Sequence, residues 1–406
     1  MKILHTADWH LGKKLYSHSR MEEQKKVLQE IIHIADQENV DLVIIAGDVF
    51  DSLLPPLEAE ELYYQTIKKL SDRENRLVVV IAGNHDAPDK ITAAAPLAIT
   101  NNILLLGYPR QELRYKQLAH FQITKSAPGF VEIQHPQMPL IRLLLTPFVN
   151  ESRWNESPDS DLDWANRDLW LQNQMIHHWN DLAAQYIDQN GVNLLVAHLF
   201  LSEAGGTKYS ETEDKQILRG TLFGMDSSHL PDSLQYTALG HLHQMHSAGK
   251  NAWYSGSPVA YSFSEAEQDK FVLIVEIDPG KPAIVKPVKL QSTNLLRRRN
   301  CFSFDEIDAL LEEFPNDLFE IQLTIQQQSM DSRYLYYKQH PRLIHIIANV
   351  QNKIDQVDKL SIEDLARSDE ELFARFYVSQ KNVQPSSEIM ELFKEVILRN
   401  QNHSEN

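Results

Sequence analysis

Five short apolar runs, Ile3 to Thr6, Leu42 to Ala46, Leu77 to Ala82, Val192 to Ala197 and Tyr236 to Leu239, each give way at once to side chains that bind metals. The strings in question are Asp8-Trp-His10, Gly47-Asp48-Val-Phe-Asp51, Gly83-Asn84-His85-Asp86, a lone His198 and Gly240-His241-Leu-His243. The runs are β-branched and bounded by Gly or polar residues, so they read as buried strands. Helical stretches from Met21 to Asn39 and from Leu57 to Leu70 separate the first three. The chain therefore opens β-α-β-α-β, with parallel strands whose ends are aligned by right-handed crossovers. In such sheets ligands collect in the crevice beyond the carboxyl ends of the strands, where all five clusters fall.

Asp8, His10, Asp48, Asn84, His198, His241 and His243 offer carboxylate, amide and imidazole groups without a thiolate. That mixture favours Mn²⁺, Fe²⁺ or Zn²⁺ over soft metals. Asp48, after the second strand, is placed to bridge two ions about 3.5–4 Å apart, the arrangement used for in-line phosphoryl displacement. Gly47, Gly83 and Gly240 suit strand exits where only glycine tolerates the dihedrals or the close approach. Taken singly, an Asp-x-His or a Gly-Asp-x-x-Asp is common in surface turns, and a lone His198 would suit a satisfied core histidine. The ordered set, each member at a strand end, carries the reading. His5, inside the first strand, reads as structural and His177 and His178 as helical residues. Asp86 reads as a turn residue, with support of a ligand histidine as the alternative. No Gly-x-Ser-x-Gly or suitably placed cysteine supplies a nucleophile, so a water activated by the cations is expected to attack an anionic phosphodiester.

In these residues the chain resembles the calcineurin-like metallophosphoesterases. The stretches Ile3-Leu-His-Thr-Ala-Asp8-Trp-His10-Leu-Gly12, Ala46-Gly-Asp48-Val-Phe-Asp51, Tyr254-Ser-Gly-Ser-Pro258 and Ser262-Phe-Ser-Glu265 narrow the resemblance to the bacterial nuclease subunits of that family, over nearly the whole chain. The resemblance implies a four-layer α/β sandwich of two mixed sheets flanked by helices, a smaller α+β capping domain and C-terminal helices. It implies that Asp8, His10, Asp48 and His243 hold one ion and Asp48, Asn84, His198 and His241 the other, with Mn²⁺ the expected metal. His85 is then a catalytic residue facing the scissile phosphate, oriented by Asp51, whose carboxylate would fix its tautomer and raise its basicity. The archaeal and eukaryotic relatives usually have a histidine at that position. The implied activity is that of a DNA double-strand exonuclease and structure-selective, hairpin-opening endonuclease in repair, replication and recombination. Its implied partners are DNA, a coiled-coil ATPase subunit and a second copy of the chain.

Other phosphoesterases on this scaffold, acting on phosphoproteins or cyclic nucleotides, are the nearest alternative. Phosphoprotein phosphatases typically place Arg after the second Asp and Glu after Asn-His, whereas Ser52 and Asp86 stand here. A non-catalytic scaffold binding DNA and an ATPase would need neither the full ligand set nor His85.

The 406 residues suit two or three domains. Their expected bounds are 1–294 for the nuclease, 300–355 for the cap and 360–400 for the C-terminal helices. Cys301 is the only cysteine, which excludes an intrachain disulfide and suits a reducing cytoplasm. No signal-peptide core or membrane span is legible. A net charge of -17 opposes unaided DNA binding, which draws on Lys and Arg neutralising phosphates. Against it stand Lys13, Lys14, Arg20, Lys25 and Lys26, so the loop from Gly12 to Arg20 is expected either to touch the backbone or to form a solvated helix entry. Arg297-Arg-Arg299 reads as an exposed linker with occasional nucleic-acid contact.

Ala252 to Ser255, Phe271 to Ile277 and Ile284 to Leu290 are expected to complete a second sheet. A helix from Asp163 to Gln189 leads into the strand ending at His198, and Gly205 to Lys215 reads as a substrate lip or a plain surface loop. Ile389, Leu392, Phe393, Val396 and Ile397 form an apolar helical stripe. A second stripe, capped by Ser361 with Asp364 three residues on, carries Leu365, Leu372, Phe373 and Phe376. By the resemblance such helices dock on the ATPase, which fits binding of a helix in a groove. No Gly-x-x-x-x-Gly-Lys-[Ser/Thr] loop is present, so ATP dependence would come from another chain.

Overall fold

The computed structural model describes residues 1–71, 76–156, 163–203, 225–326, 332–351, 368–381, 384–387 and 389–394. The chain opens with β1 (Lys2–Thr6), a short hairpin β2 (Lys14–Leu15) and β3 (His18–Ser19), and α1 (Met21–Gln37). It continues through β4 (Leu42–Ile45), α2 (Leu57–Leu70), β5 (Leu77–Ile81), α3 (Pro88–Thr92), α4 (Ala95–Ala98) and β6 (Ile103–Leu106). Strands β1, β4, β5 and β6 are parallel neighbours. Next come β7 (Gln122–Ala127), β8 (Phe130–Gln134), β9 (Leu140–Thr146), α5 (Glu151–Trp154), α6 (Trp164–Tyr186), β10 (Gly191–His198), β11 (Leu201–Ser202) and β12 (Met225–Asp226). The sandwich closes with β13 (Tyr236–Gly240), β14 (His246–Ser247), β15 (Ala252–Tyr254), β16 (Phe271–Glu276) and β17 (Ile284–Lys289).

Six strands form one sheet in the order β17-β16-β1-β4-β5-β6, and seven form the other as β14-β15-β13-β10-β9-β8-β7. Strand alternation sorts their side chains into layers. Leu4, Val43, Ile45, Val78 and Val80 face α1 and α2, meeting Val27, Ile31, Tyr63 and Ile67. Ile3, Leu42, Ile44 and Val79 face the second sheet, where they meet Ile141, Leu143, Val192, Leu194 and Val196. The far side of that sheet, Leu144, Leu195 and Ala197, is covered by Leu171, Met175, Trp179 and Leu182 of α6. Helix, sheet, sheet, helix is the four-layer sandwich expected. His5 spans the layers: its Nδ1 lies 2.9 Å from the Tyr236 hydroxyl and its Nε2 3.1 Å from the Leu239 carbonyl. Burial pushes this imidazole down to about 3, so it is neutral and structural, as its place in the strand suggested.

One expectation about the sheets is corrected. Strands β16 and β17 do not join the second sheet; β16 runs antiparallel to β1 and β17 to β16, extending the first. Only β15 joins the second, whose other edge is the unanticipated meander β7-β8-β9. An apolar run such as Phe271 to Ile277 buries both faces and so satisfies a central position in either sheet.

The Arg297–Arg299 stretch is likewise no linker. It lies in β18 (Leu296–Cys301), which pairs in parallel with β19 (Leu318–Gln326) of a three-stranded sheet completed by β20 (Leu343–Gln351). Arg297 meets Asp317, Arg298 meets Glu320 and Arg299 meets Glu267, so all three guanidiniums are ion-paired. Helices α7 (Phe304–Glu313) and α8 (Ser332–Lys338) accompany this sheet.

By its internal contacts the chain divides into two compact units, Met1–Leu323 with Ser332–Ile347, and Thr324–Asp331 with Ala348–Asn406. The second unit contains α9 (Asp369–Lys381), and its Phe373 ring stacks on Phe393 at 3.9 Å between centroids. Ser361, Asp364, Leu365, Val396, Ile397 and the Gly205–Lys215 loop lie outside the described residues. Among those described, no helix is long and apolar enough to cross a membrane.

Candidate metal centre

Because β1, β4 and β5 are adjacent parallel strands in one sheet and β10 and β13 in the other, their carboxyl ends meet at one edge of the sandwich. Asp8 and His10 follow β1, Asp48 follows β4, Asn84 and His85 follow β5, His198 ends β10, and His241 and His243 follow β13. The loops are laced together by their main chains. Asp8 N donates to Gly47 O at 2.9 Å, His10 N to Asp48 O at 3.0 Å, and His241 N and His85 N donate to the Asp8 and Asp48 carboxylates at 2.9 Å each.

Such tight exits explain two of the glycines directly. A Cβ on Gly47 would sit 2.3 Å from His198 Nδ1, with a φ of +92° besides, and one on Gly83 would sit 2.1 Å from an Asp48 carboxylate oxygen. Asp8, His10, Asp48 and His241 themselves adopt positive φ of 54°, 42°, 50° and 107°. A non-glycine residue at positive φ is uncommon, and four of them converge at this one edge.

All seven expected donors are brought together. His10 Nε2 lies 3.1 Å from His243 Nε2 and 3.5 Å from Asp48 Oδ2. Asn84 Oδ1 lies 2.9 Å from His198 Nε2 and 3.1 Å from His241 Nδ1, while His198 Nε2 is 3.4 Å from Asp48 Oδ2. Asp48 Oδ2 is thus shared by both groups, the place expected of a bridging carboxylate. Asp8, His10 and Asp48 form one cluster of possible ligand atoms and Asp48, His198 and His241 another.

The residues fit divalent cations on three counts. The Asp8 and Asp48 carboxylates are buried, with imidazoles as their main charged neighbours. His10 Nε2 and His198 Nε2 converge on one Asp48 carboxylate oxygen at 3.5 and 3.4 Å, and His198 Nε2 and His241 Nδ1 on Asn84 Oδ1 at 2.9 and 3.1 Å. The donors are hard oxygens and imidazole nitrogens, which suits such ions. Burial pushes the His10 and His241 imidazoles down to about 4 and about 3, leaving them neutral with lone pairs to offer. Burial raises Asp8, to about 7, whereas at Asp48 the same effect is outweighed by His198, His10 and His85, which hold it well below the usual range. His198 resists burial and rises to about 9 because Asp48 faces it; the proton it holds there is one a cation would displace.

The structure departs from expectation at Asp51. Its carboxylate does not orient His85; it accepts from Lys13 Nζ at 2.6 Å and stands 3.5 Å from His10 Nδ1. His85 Nδ1 instead meets the Asp51 main-chain carbonyl at 3.0 Å. A carbonyl only accepts, so it fixes the proton on Nδ1 as a carboxylate would, without adding charge. Asp86, read as a turn residue, is fully buried and accepts from Gly83 N at 2.8 Å, Phe50 N at 2.9 Å and Val49 N at 3.1 Å, joining the loops after β4 and β5.

Three side chains at the site went unassigned in the sequence. Arg153 donates to Gly83 O and Asp86 O, both at 2.7 Å, and holds the Asn84-His85 turn from outside. The Tyr261 hydroxyl donates to Trp9 O, between Asp8 and His10. Glu265 stands 3.3 Å behind His243 Nδ1; its presence in the Ser262–Glu265 string was the one available signal. His177 and His178 lie on α6, His177 Nδ1 facing its own helix at Asn173 O and His178 edge-on to Trp154. Of the five cations after the first motif, Lys13 pairs with Asp51, buried Arg20 with Glu23, and Lys25 with Glu22 and Glu58; Lys14 and Lys26 are exposed.

Comparison with known proteins places these features in a family. The Calcineurin-like phosphoesterase model matches residues 1–245. The chain is similar to SbcD, the nuclease component of SbcCD, of Bacillus subtilis (strain 168), at 35% identity over 98% of this chain and 97% of that one. It is similar also to the SbcD nuclease component of Staphylococcus epidermidis (strain ATCC 12228 / FDA PCI 1200), at 27% identity over 93% and 92% of the two chains.

Proposed function

The chain belongs to the calcineurin-like phosphoesterase family and is a metal-dependent phosphodiesterase, a nuclease of the SbcCD type; from that premise we propose that it degrades DNA as a double-strand exonuclease and opens hairpins as a structure-selective endonuclease. It does so with an SbcC-like ATPase, in the cytoplasm, in repair, replication and recombination. The observation that carries the reading is the approach of His10 Nε2 and His198 Nε2, one from each group of donors, to the same carboxylate oxygen of Asp48.

Asp8, His10, Asp48 and His243 would hold one divalent ion, and Asp48, Asn84, His198 and His241 a second, with Mn²⁺ the proposed metal. Bound there, the pair neutralises the phosphodiester's negative charge and activates a water for attack. The chain's own residues do the rest. Asp48 fixes the two groups of donors to one another and, through its bond from His85 N, to the turn that carries His85. His85 is half-buried, and with Nδ1–H donating to Asp51 O its Nε2 is the atom that exchanges a proton. From there it can protonate the departing oxygen of the scissile phosphodiester. Arg153 and Asp86 keep that turn in place.

Residues 1–294 would be the nuclease domain, 300–355 a cap and 360–400 the helices that bind the ATPase. Phe376 and Leu392, 61% and 62% exposed in the second unit, offer the apolar surface such a contact needs. Leu53, Leu54, Leu57 and Leu97, at 56% to 86% exposed, support self-association of the nuclease into a homodimer. With the guanidiniums of β18 ion-paired and a net charge of -17, much of the DNA-holding surface falls to the ATPase.

Linear duplex, hairpin and phosphopeptide substrates, assayed with Mn²⁺ and with or without the ATPase, test the proposal. Duplex and hairpin cleavage dependent on the metal is expected; turnover of the phosphopeptide alone would refute it.

A further inference from the structure

Past the metal centre the crevice at the strand ends continues by one strand in each sheet. β6 lies parallel beside β5, and β9 parallel beside β10, so their carboxyl ends open next to the residues that follow β5 and end β10. Ligands gather at such places in α/β sheets. A cleft of about 450 Å³ lies there, lined by Tyr108, Arg110 and Gln111 from the loop after β6 and by Arg153, Trp154 and Glu156 from the segment after β9.

Arg153 is the wall this cleft shares with the metal centre. It clasps Gly83 O and Asp86 O on either side of Asn84-His85, and its guanidinium lies 5.2 Å over the Phe148 ring, which meets the His198 ring edge-on at 6.3 Å. The flat surfaces of the cleft are held still. The Tyr108 ring, 37% exposed, is tethered by its hydroxyl to Asp89 Oδ1 at 3.1 Å. The Arg110 guanidinium lies 5.1 Å over the buried Trp154 ring and pairs with Glu156 Oε1 at 2.5 Å. These charges select the occupant. A phosphate would meet guanidiniums already engaged and the carboxylates of Glu156 and Asp89 close by, whereas an uncharged flat ring finds an aromatic face and a guanidinium plane, the two surfaces on which unpaired bases stack. The volume falls within the range of pockets that take small ligands.

We propose that this cleft receives one unpaired base of the cleaved strand, from a nucleotide flanking the phosphodiester held at the metals, stacked on Tyr108 and on the guanidinium plane of Arg110. This rests on the DNA-cleaving reading above and gives it a substrate preference. Hairpin loops and frayed ends present unpaired bases, whereas a fully paired duplex must first give up the pairing and stacking of one. The cleft therefore favours the former, and because every base has a flat face it does so with little regard to sequence.

The test uses the full chain with the SbcC-like ATPase and Mn²⁺, on hairpins that differ only in an abasic residue placed immediately before or immediately after the scissile phosphate. The readout is the cleavage rate of the intact hairpin divided by that of the abasic one, taken on a single preparation, so that a general loss of folding or metal cancels. Wild type should favour the intact hairpin roughly 5- to 150-fold for one of the two placements, the range that stacking of one base supplies. Tyr108→Ala should bring that ratio close to unity, Arg110→Ala should lower it, and Tyr108→Phe, which keeps the ring, should retain it. Should Tyr108→Ala fail to fold, Tyr108→Leu keeps bulk without the aromatic face and must show the same loss. A wild-type ratio of unity for both placements, or a ratio undiminished in the Tyr108 variants that lack the ring, would overturn the cleft as a base site and leave hairpin opening standing. Failure of wild type to cleave any hairpin would overturn hairpin opening, and this proposal with it.

Discussion

Replacing Asp86 tests whether the site is held by its supports or only by its ligands. The carboxylate is fully buried and accepts three main-chain N–H groups, from Gly83, Phe50 and Val49, at 2.8–3.1 Å. Asp86→Ala leaves all three donors buried without an acceptor, at roughly 1–3 kcal/mol each. The gross loss is therefore roughly 3–9 kcal/mol, reduced by the desolvation cost that disappears with the carboxylate. A net destabilisation of about 3 kcal/mol is the conservative expectation, large against the roughly 5–15 kcal/mol that holds a typical domain together. Asp86→Asn, which keeps one acceptor oxygen, should fall between wild type and Asp86→Ala. The assay is hydrogen exchange by mass spectrometry over peptides containing Val49, Phe50 and Gly83, beside a urea midpoint. Faster exchange at both loops and a lower midpoint are expected. Unchanged exchange at these peptides in Asp86→Ala would refute the reasoning, since three orphaned donors cannot stay protected.

His85→Ala should keep both ions but lose cleavage, whereas Asp48→Ala should lose metal as well; metal analysis beside a nuclease assay checks both, and normal cleavage by the His85 variant would remove its assigned role. Asp51→Asn should leave the proton position of His85 intact, because the main-chain carbonyl holds it, and should act instead through His10. Excess Mn²⁺ is therefore expected to restore its cleavage rate, while His85→Ala stays inactive at any metal concentration. Gly47→Ala would place a Cβ 2.3 Å from His198 Nδ1 at a φ of +92°, so loss of metal binding together with a lower melting temperature is expected.

The strand ends and their donors were legible because both are local. A buried strand is an apolar run, and a metal-donating residue at or just past its end is read directly from the sequence. Partnership between distant segments is a different matter. Residues from Phe271 to Glu276 alternate between two buried faces, with Val272 and Ile274 toward the helices and Leu273 and Val275 toward the other sheet. Nothing in that pattern says which strand lies alongside. The meander of β7, β8 and β9 escaped notice because its edge strand is largely exposed and because Arg142 interrupts the apolar run of β9, where it is neutralised by Glu132 and Asp188.

Asp51 and Glu265 show the same limit within the site. The resemblance named the Asp51 carboxylate as the partner of His85, but the contact is made by the main chain, which every residue possesses. The carboxylate itself turns to the stronger attraction of Lys13. Glu265 reaches His243 from 22 positions further on, at the close of a short 3₁₀ turn, a spacing with no periodicity to betray it.

Backbone strain ties the supports to the chemistry. Asp8, His10, Asp48 and His241 all have positive φ, which costs a non-glycine residue roughly 1–2 kcal/mol. Four such positions amount to about 4–8 kcal/mol, comparable with the whole stability of a small domain. Burial of the Asp8 carboxylate adds to that cost. The opposing groups are the ones that touch no metal: Asp86 holding three N–H groups, Arg153 clasping Gly83 and Asp86, Tyr261 on Trp9, and the main-chain bonds that lace the loop after β1 to the loop after β4. They keep four strained residues aimed at one point before any ion arrives, so that binding requires little reorganisation. It follows that metal affinity should depend on these supports as well as on the seven donors, and that a variant with every donor intact can still lose the site.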